Sequence, residues 1–545
     1  MKIMVQGTGS GVGKSVIVAA LCRIFAEDGY RVAPFKSQNM ALNSYVTRDG
    51  FEIGRAQAFQ AFAARKEPRV EMNPILLKPS SETGAQVIVR GKPVGNMTAK
   101  EYYKYKPGAL EIIKECFARL ERENEIVVIE GAGSPAEVNL RANDIVNISI
   151  AKLLNAPVLL VGDIDKGGVL AWIVGTLELL EDDEKELVKG ILINKFRGDL
   201  EILKPGLEFL EKRVNKPVIG VIPYFQNIRI QEEDSVSLSA SIGREKRSST
   251  GKIKIDVVYL PHISNFTDFD ALEAEDDVLL RYVGVGAGAG AGTGTGTGTG
   301  TGGGERIGEP DVIIIPGSKN TIGDLLYLKN EGYASQIVEK ARNGKCVVFG
   351  ICGGYQMLGK TIIDPESVES TLRETPGLGL LHITTIFKGL KMKMTNQVRA
   401  IVNLEFYTGE IEGYEIHTGR TYFSRDTGSG SGSGSSNSSS VKNAFKIIER
   451  SGKRVMGTGD ESDSGGAINV NGNVIGTYIH GIFDNDDFRD AFINYIRAKK
   501  GWCKSRSRSR NRSGIGIDWD MECDKLADLV RRSVDIDKIY KIMRL

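Results

Sequence analysis

Gly7-Thr8-Gly9-Ser10-Gly11-Val12-Gly13-Lys14-Ser15 decides the fold of the first half of this chain. It follows the β-branched run Lys2–Gln6. After it, Val16, Ile17, Ala20, Leu21, Ile24 and Phe25 keep helical spacing until Gly29 closes the helix. Strand, glycine-rich loop and helix is the setting of a phosphate-binding loop. Glycines let backbone N–H groups wrap phosphate oxygens, and the helix N-terminus adds positive potential. On this reading Gly7, Thr8, Gly11, Val12, Gly13, Lys14 and Ser15 bind a nucleotide. Lys14 reaches the β- and γ-phosphates, and the Ser15 hydroxyl is a metal ligand for Mg²⁺. The bland reading is a glycine-rich turn with a chance Gly-Lys-Ser, and the agreement of motif with context counts against it.

Working outward, further β-branched runs at Glu125–Ile129, Pro157–Val161, Gly190–Ile193 and Pro217–Pro223 alternate with helical stretches. That alternation predicts a parallel α/β sheet. Polar residues cluster where its strands end, which is where such sheets bind ligands. Lys36 ends the run Arg31–Phe35 as a second cation for phosphate. Glu130 ends its strand as a metal-binding carboxylate, beside the phosphate loop. Asp163 and Asp165 end the next as substrate contacts, and Asn194 the one after as a contact to the adenine base. Lys78 and Arg90 suit the carboxylates of a polyanionic substrate, with a solvated cation as the alternative.

A second α/β series follows, at Lys254–Leu260, Asp311–Pro316, Lys345–Phe349 and Asn473–Tyr478. The third run leads into Gly350-Ile351-Cys352-Gly353-Gly354, the cysteine form of a strained strand-to-helix turn that exposes a nucleophile. Cys352 is then the nucleophile, its thiol activated at a helix start. His480, in Gly476-Thr477-Tyr478-Ile479-His480-Gly481, is the base. Gly353 with Gly317 and Ser318, from Pro316-Gly317-Ser318, supplies the oxyanion hole. The group that orients His480 is open at this point, with Glu415 and Asp484 as candidates. His417 is read as a substrate contact or a structural residue, and His262 and His382 as structural.

Composition narrows the classes further. The chain has 545 residues, 41% hydrophobic and 26% charged, with a formal net charge of +2. This fits two or three globular domains and gives no global pull toward nucleic acid or acidic membranes. No apolar run is long enough to cross a bilayer, and MKIMVQG offers no leader. Six scattered cysteines and four histidines show no metal-ligand spacing. The expectation is a reduced, cytoplasmic protein with neither nucleic-acid nor membrane partner. Three low-complexity stretches, 284–304 (Gly/Ala/Thr), 427–440 (Gly/Ser) and 504–514 (Arg/Ser), cannot bury apolar surface and read as surface insertions. The expected domains are therefore 1–243 around the phosphate loop and 252–500 around the elbow, joined by a charged linker at 244–252. A C-terminal helical segment covers 515–545.

Several motifs carry family resemblances. The lengthened phosphate loop, one residue longer than G-x-x-x-x-G-K-[ST], resembles that of dethiobiotin synthetase, which activates a carboxylate with ATP. It lacks the extra Lys of partition-type ATPases. The elbow half resembles class I glutamine amidotransferases, except that Ile482 stands where their Glu follows the His by two positions. Four further blocks match: Pro34-Phe35-Lys36-Ser37-Gln38-Asn39-Met40, Gly54-Arg55-Ala56-Gln57, Met72-Asn73-Pro74-Ile75-Leu76-Leu77-Lys78-Pro79 and Asp163-Ile164-Asp165-Lys166-Gly167-Gly168. With the order of the halves, they resemble the cobyric acid synthase family over nearly the whole chain. The resemblance implies a ligase using ATP, Mg²⁺ and L-glutamine, and a corrinoid small-molecule substrate. The family amidates the b, d, e and g carboxylates of adenosylcobyrinic acid a,c-diamide. The alternatives are cobyrinic acid a,c-diamide synthase, another carboxylate amidase, or a partition-type switch protein with an inactive amidotransferase tail.

Overall fold

The structure is a computed structural model that describes residues 1–79, 84–225, 227–231, 251–284, 306–389, 392–423, 441–455, 464–503 and 517–544. Insertions 285–304, 427–440 and 504–514, and linker residues 244–250, lie outside the described residues. Two compact units form. One comprises Met1–Ala41, Glu52–Glu233 and Asp518–Leu545, the other Leu42–Phe51 and Asp234–Ile517.

The first unit is built on β1 (Lys2–Gly7), β2 (Val32–Phe35), β3 (Ile126–Glu130), β4 (Val158–Asp163), β5 (Val188–Phe196) and β6 (Val218–Pro223), in the order β6-β5-β4-β1-β3-β2. All pairs are parallel. β1, β3 and β4 are buried almost throughout, as near-continuous apolar strands covered on both faces should be. One face packs on the helix Ala99–Glu123 and its neighbours. The other packs on the helix Lys14–Glu27 and on the C-terminal helices Trp519–Ser533 and Ile536–Arg544. The helical spacing at 521–542 is thus two helices that belong to the nucleotide-loop unit. Arg23, 1% exposed, ties the first of them down through Asp520 at 2.5 Å. A smaller sheet adds Gln38–Met40, Ile75–Pro79, Gly84–Val89 and Lys92–Thr98.

The second unit has β7 (Ile253–Val258), β8 (Val278–Val283), β9 (Val312–Ile315), β10 (Val347–Ile351), β11 (Met394–Leu404), β12 (Tyr407–His417), β13 (Val441–Arg450), β14 (Ser464–Asn469) and β15 (Val474–Thr477). They lie in the order β8-β7-β9-β10-β15-β14-β13-β11-β12. The half from β8 to β15 is parallel. From β15 onward the pairing is antiparallel. The parallel half carries the short apolar runs seen in the sequence. The antiparallel half was not foreseen, because its strands alternate buried and exposed residues and resemble polar amphipathic segments.

Candidate active sites

In the first unit the loop after β1 wraps closely on itself. Gly13 adopts φ 100°, and a Cβ there would stand 2.1 Å from Asn194 Nδ2. Only glycine suits both constraints. Asn194 donates to the Val12 carbonyl at 2.9 Å, so its amide braces the loop. Lys14 Nζ donates to the carbonyls of Gly9 (2.8 Å) and Gly133 (3.0 Å). Glu130, 1% exposed, gathers the polar residues around it. Its Oε1 accepts from Ser15 Oγ and Lys36 Nζ, both at 2.8 Å. Its Oε2 accepts from Gln60 at 2.5 Å and, more distantly, from Gln57 at 3.4 Å. Burial alone would raise the Glu130 carboxyl, but Lys36 and the surrounding donors outweigh it and hold it below the usual range.

The remaining first-unit candidates separate. Asp163 accepts Lys195 Nζ at 2.9 Å, and Lys195 also reaches the Gly11 carbonyl at 2.7 Å. Asp165 pairs with Arg197 at 2.8 Å. Asp163 is thus tied to the loop through Lys195. Lys78 instead forms a buried pair with Glu52 at 2.7 Å in the smaller sheet. Arg90 pairs at the surface with Glu115.

In the second unit β10 ends at Cys352, whose φ of 51° and ψ of −106° are those of a strained elbow. Gly354 is required there, since a Cβ would fall 2.0 Å from the Ile315 carbonyl oxygen. The thiol is directed to the Ile416 carbonyl at 3.3 Å. His480 is fully buried and bridged to β12, with its N–H on the Tyr414 carbonyl at 2.8 Å. Its ring stacks on Tyr414, centroids 5.2 Å apart. Its Nδ1 meets Asp268 Oδ2 at 2.7 Å, and Asp268 Oδ1 accepts the Gly481 N–H at 3.0 Å. Burial would lower the His480 imidazolium, but the Asp268 carboxylate and the Cys352 thiol raise it to about 10. The ring therefore holds its proton at neutral pH.

The third group on the histidine is thus Asp268, from the short 3₁₀ turn Phe266–Phe269, and neither sequence candidate fills that position. Glu415 is turned to Arg450 (2.7 Å) and Asn396 (2.8 Å). Asp484 lies in the turn after His480, its N–H on the Gly481 carbonyl at 3.1 Å. His417 Nδ1 donates to the Gly419 carbonyl (3.0 Å), and the ring stacks on Tyr478 with centroids 3.7 Å apart. It follows Ile416, whose carbonyl meets the thiol. Gly317 and Ser318 pair antiparallel with Ile263–Ser264, and Ser318 N would lie 2.9 Å from a Cβ on Gly353.

Among the described residues no group of three His, Cys, Asp or Glu side chains is arranged for a metal. The Ser15 hydroxyl with the Glu130 carboxylate is a hard-oxygen pair, the donor set Mg²⁺ takes when phosphates complete its shell. Among the same residues no helix is long and apolar enough to cross a membrane.

Comparison with known proteins bears on both units. Residues 3–238 match the CobQ/CobB/MinD/ParA nucleotide binding domain, and residues 254–488 the CobB/CobQ-like glutamine amidotransferase domain. A cobyric acid synthase of Thermoanaerobacter sp. (strain X514) is 50% identical over 100% of this chain and 99% of its own. One from Clostridium botulinum (strain Okra / Type B1) is 50% identical over 99% of each chain. That of Clostridium acetobutylicum is 48% identical over 99% of this chain and 98% of its own. Two α/β units, one built around a nucleotide loop and one around a cysteine elbow, thus occur here over the length of those relatives, and the chain belongs to the cobyric acid synthase family, glutamine-dependent ligases of cobalamin biosynthesis.

Proposed function

We propose that this chain uses ATP, Mg²⁺ and glutamine to amidate the b, d, e and g carboxylates of adenosylcobyrinic acid a,c-diamide, giving adenosylcobyric acid. The observation that carries the glutaminase half is Asp268 on Nδ1 of the buried His480 at 2.7 Å, in the unit that places Cys352 at a strained elbow. The Cys352 sulfur, its proton already held on His480 Nε2, attacks the glutamine amide carbon. Asp268, on Nδ1, holds the ring in the tautomer that frees Nε2 and stabilises the imidazolium. The backbone N–H groups of Gly353 and Ser318 receive the oxyanion. His480 then protonates the departing nitrogen, ammonia leaves, and water, deprotonated by the same histidine, clears the thioester to glutamate.

In the synthetase half a substrate carboxylate attacks the γ-phosphorus of ATP, giving an acyl phosphate and ADP. Lys14, Lys36 and the loop N–H groups neutralise the charge spread over the transferring oxygens. Ser15 and Glu130 would hold Mg²⁺, which supplies further charge neutralisation when bound. Asn194 and Lys195 brace the loop through the Val12 and Gly11 carbonyls. Ammonia then attacks the acyl carbon, expels inorganic phosphate and loses a proton, leaving the amide. Asp163, Asp165 and His417 are the proposed substrate contacts. Lys78 and Arg90 have carboxylate partners of their own, so a substrate role for either requires exchange of that partner.

The test is mass spectrometry of adenosylcobyrinic a,c-diamide incubated with the protein, ATP, Mg²⁺ and glutamine. Four successive amidations, absent without ATP, are expected. An unchanged corrinoid, with ATP and glutamine consumed on another acid, would discard the substrate and keep the two-step chemistry.

A further inference from the structure

A second histidine–aspartate pair lies behind the oxyanion turn. Asp324 stands in the first turn of the helix Thr321–Asn330 and is fully buried. Its Oδ2 accepts the Ser318 hydroxyl at 2.6 Å and the His262 backbone N–H at 3.2 Å. Its Oδ1 meets His262 Nδ1 at 2.8 Å. Ser318 Oγ in turn accepts the Asn320 N–H at 3.0 Å, and Lys319 donates its N–H to the His262 carbonyl at 2.9 Å. The hydrogen bond to Asp324 raises His262 above the ordinary histidine value, which favours the ring as a donor.

These bonds converge on 316–320, the turn that carries the Ser318 N–H. All three donors to the carboxylate come from Ser318 and His262, on the two paired segments that form this turn. A buried carboxylate is costly to keep where an apolar side chain would pack as well. Its partners here show what it does: it fixes the rotamer of Ser318 and the register of the turn. The Ser318 nitrogen lies against the elbow, since a Cβ on Gly353 would stand 2.9 Å from it.

We propose that Asp324 is a positioning residue for glutamine hydrolysis, acting through Ser318 and His262 to aim the Ser318 N–H at the oxyanion formed on Cys352. This rests on the glutaminase reading above. A misaimed oxyanion donor costs turnover and leaves ground-state binding and thiol activation alone, because the charge it stabilises exists only during reaction.

The experiment uses the full chain and the isosteric variant Asp324→Asn, with Ser318→Ala beside it. Three quantities are read: glutaminase kcat and KM, the rate of Cys352 alkylation by iodoacetamide, and amidation driven by ammonium. Alkylation needs the thiolate but forms no oxyanion. We expect Asp324→Asn to lower kcat by about 10–100-fold, less than the ~10²–10³-fold for removing an oxyanion donor outright because the Ser318 N–H is misaimed and not removed, with KM, alkylation and ammonium-driven amidation unchanged. Ser318→Ala should lower kcat too, and the double variant should fall no further than Asp324→Asn alone. A kcat within twofold of wild type in Asp324→Asn would overturn the proposal, as would parallel losses in kcat and alkylation. Wild-type protein that alkylates but never hydrolyses glutamine would instead remove the glutaminase reading beneath it.

Discussion

Asp268 sets the proton affinity of His480, and the consequence is measurable. Replacing Asp268 with Asn removes the carboxylate that holds the imidazolium at about 10, and burial then drives the ring toward its neutral form. Cys352 loses the counter-charge of the imidazolium, so its inactivation by iodoacetamide at neutral pH should slow. Glutaminase kcat should fall about 10²–10⁴-fold. An unchanged alkylation profile would remove Asp268 from the site. Glu415 gives the opposite case. Burial would raise its carboxyl, but His417 and Arg450 bring it down to about 2 from 4.5. A folded value below the unfolded one adds stability that is fully present above about pH 4.5 and is lost as pH falls toward 2. Glu415→Gln should therefore flatten the acid limb of unfolding between those limits, a difference on the order of 3 kcal/mol. A urea-midpoint series against pH would detect it, and identical acid limbs would contradict it. Asp268 was not legible in the sequence because it precedes His480 by 212 positions. The only local sign was an acidic residue between Phe266 and Phe269, both buried.

The elbow is an element whose glycines are fixed by distance. A methyl group at Gly354 would overlap the Ile315 carbonyl, so β9 and β10 cannot both keep their positions. Gly354→Ala should destabilise the second unit by about 1–3 kcal/mol and abolish glutamine hydrolysis, read by thermal unfolding and glutamate release. Full activity in that variant would show that the turn relaxes. The elbow and the nucleotide loop were legible because each is a short motif bounded by an apolar strand and a helix. Glu130 was legible for a similar reason, as a carboxylate at a strand end. The hairpin β11–β12 was not, since its alternating pattern over Met394–Leu404 and Tyr407–His417 gives a weaker signal than a buried parallel strand.

Over the whole molecule, chain order and spatial grouping diverge. Leu42–Phe51 falls in the second unit and Asp518–Leu545 in the first, whereas the sequence suggested two contiguous halves followed by a tail. Periodicity reports which face of a helix is buried but not which core it joins, so the destination of the C-terminal helices could not be read from it. The two chemistries should nonetheless separate by mutation. Lys14→Ala should leave the corrinoid unchanged with either nitrogen source while glutamate release persists, and loss of glutaminase turnover in that variant would mean the sites are not independently competent. The central claim, that Cys352 serves only to release ammonia for an ATP-driven amidation, is tested most directly with Cys352→Ala. Corrinoid products would be followed by mass spectrometry with ATP and either glutamine or ammonium chloride. Cys352→Ala should give the four-step ladder with ammonium and none with glutamine; a ladder that still forms with glutamine would mean that another group releases the ammonia.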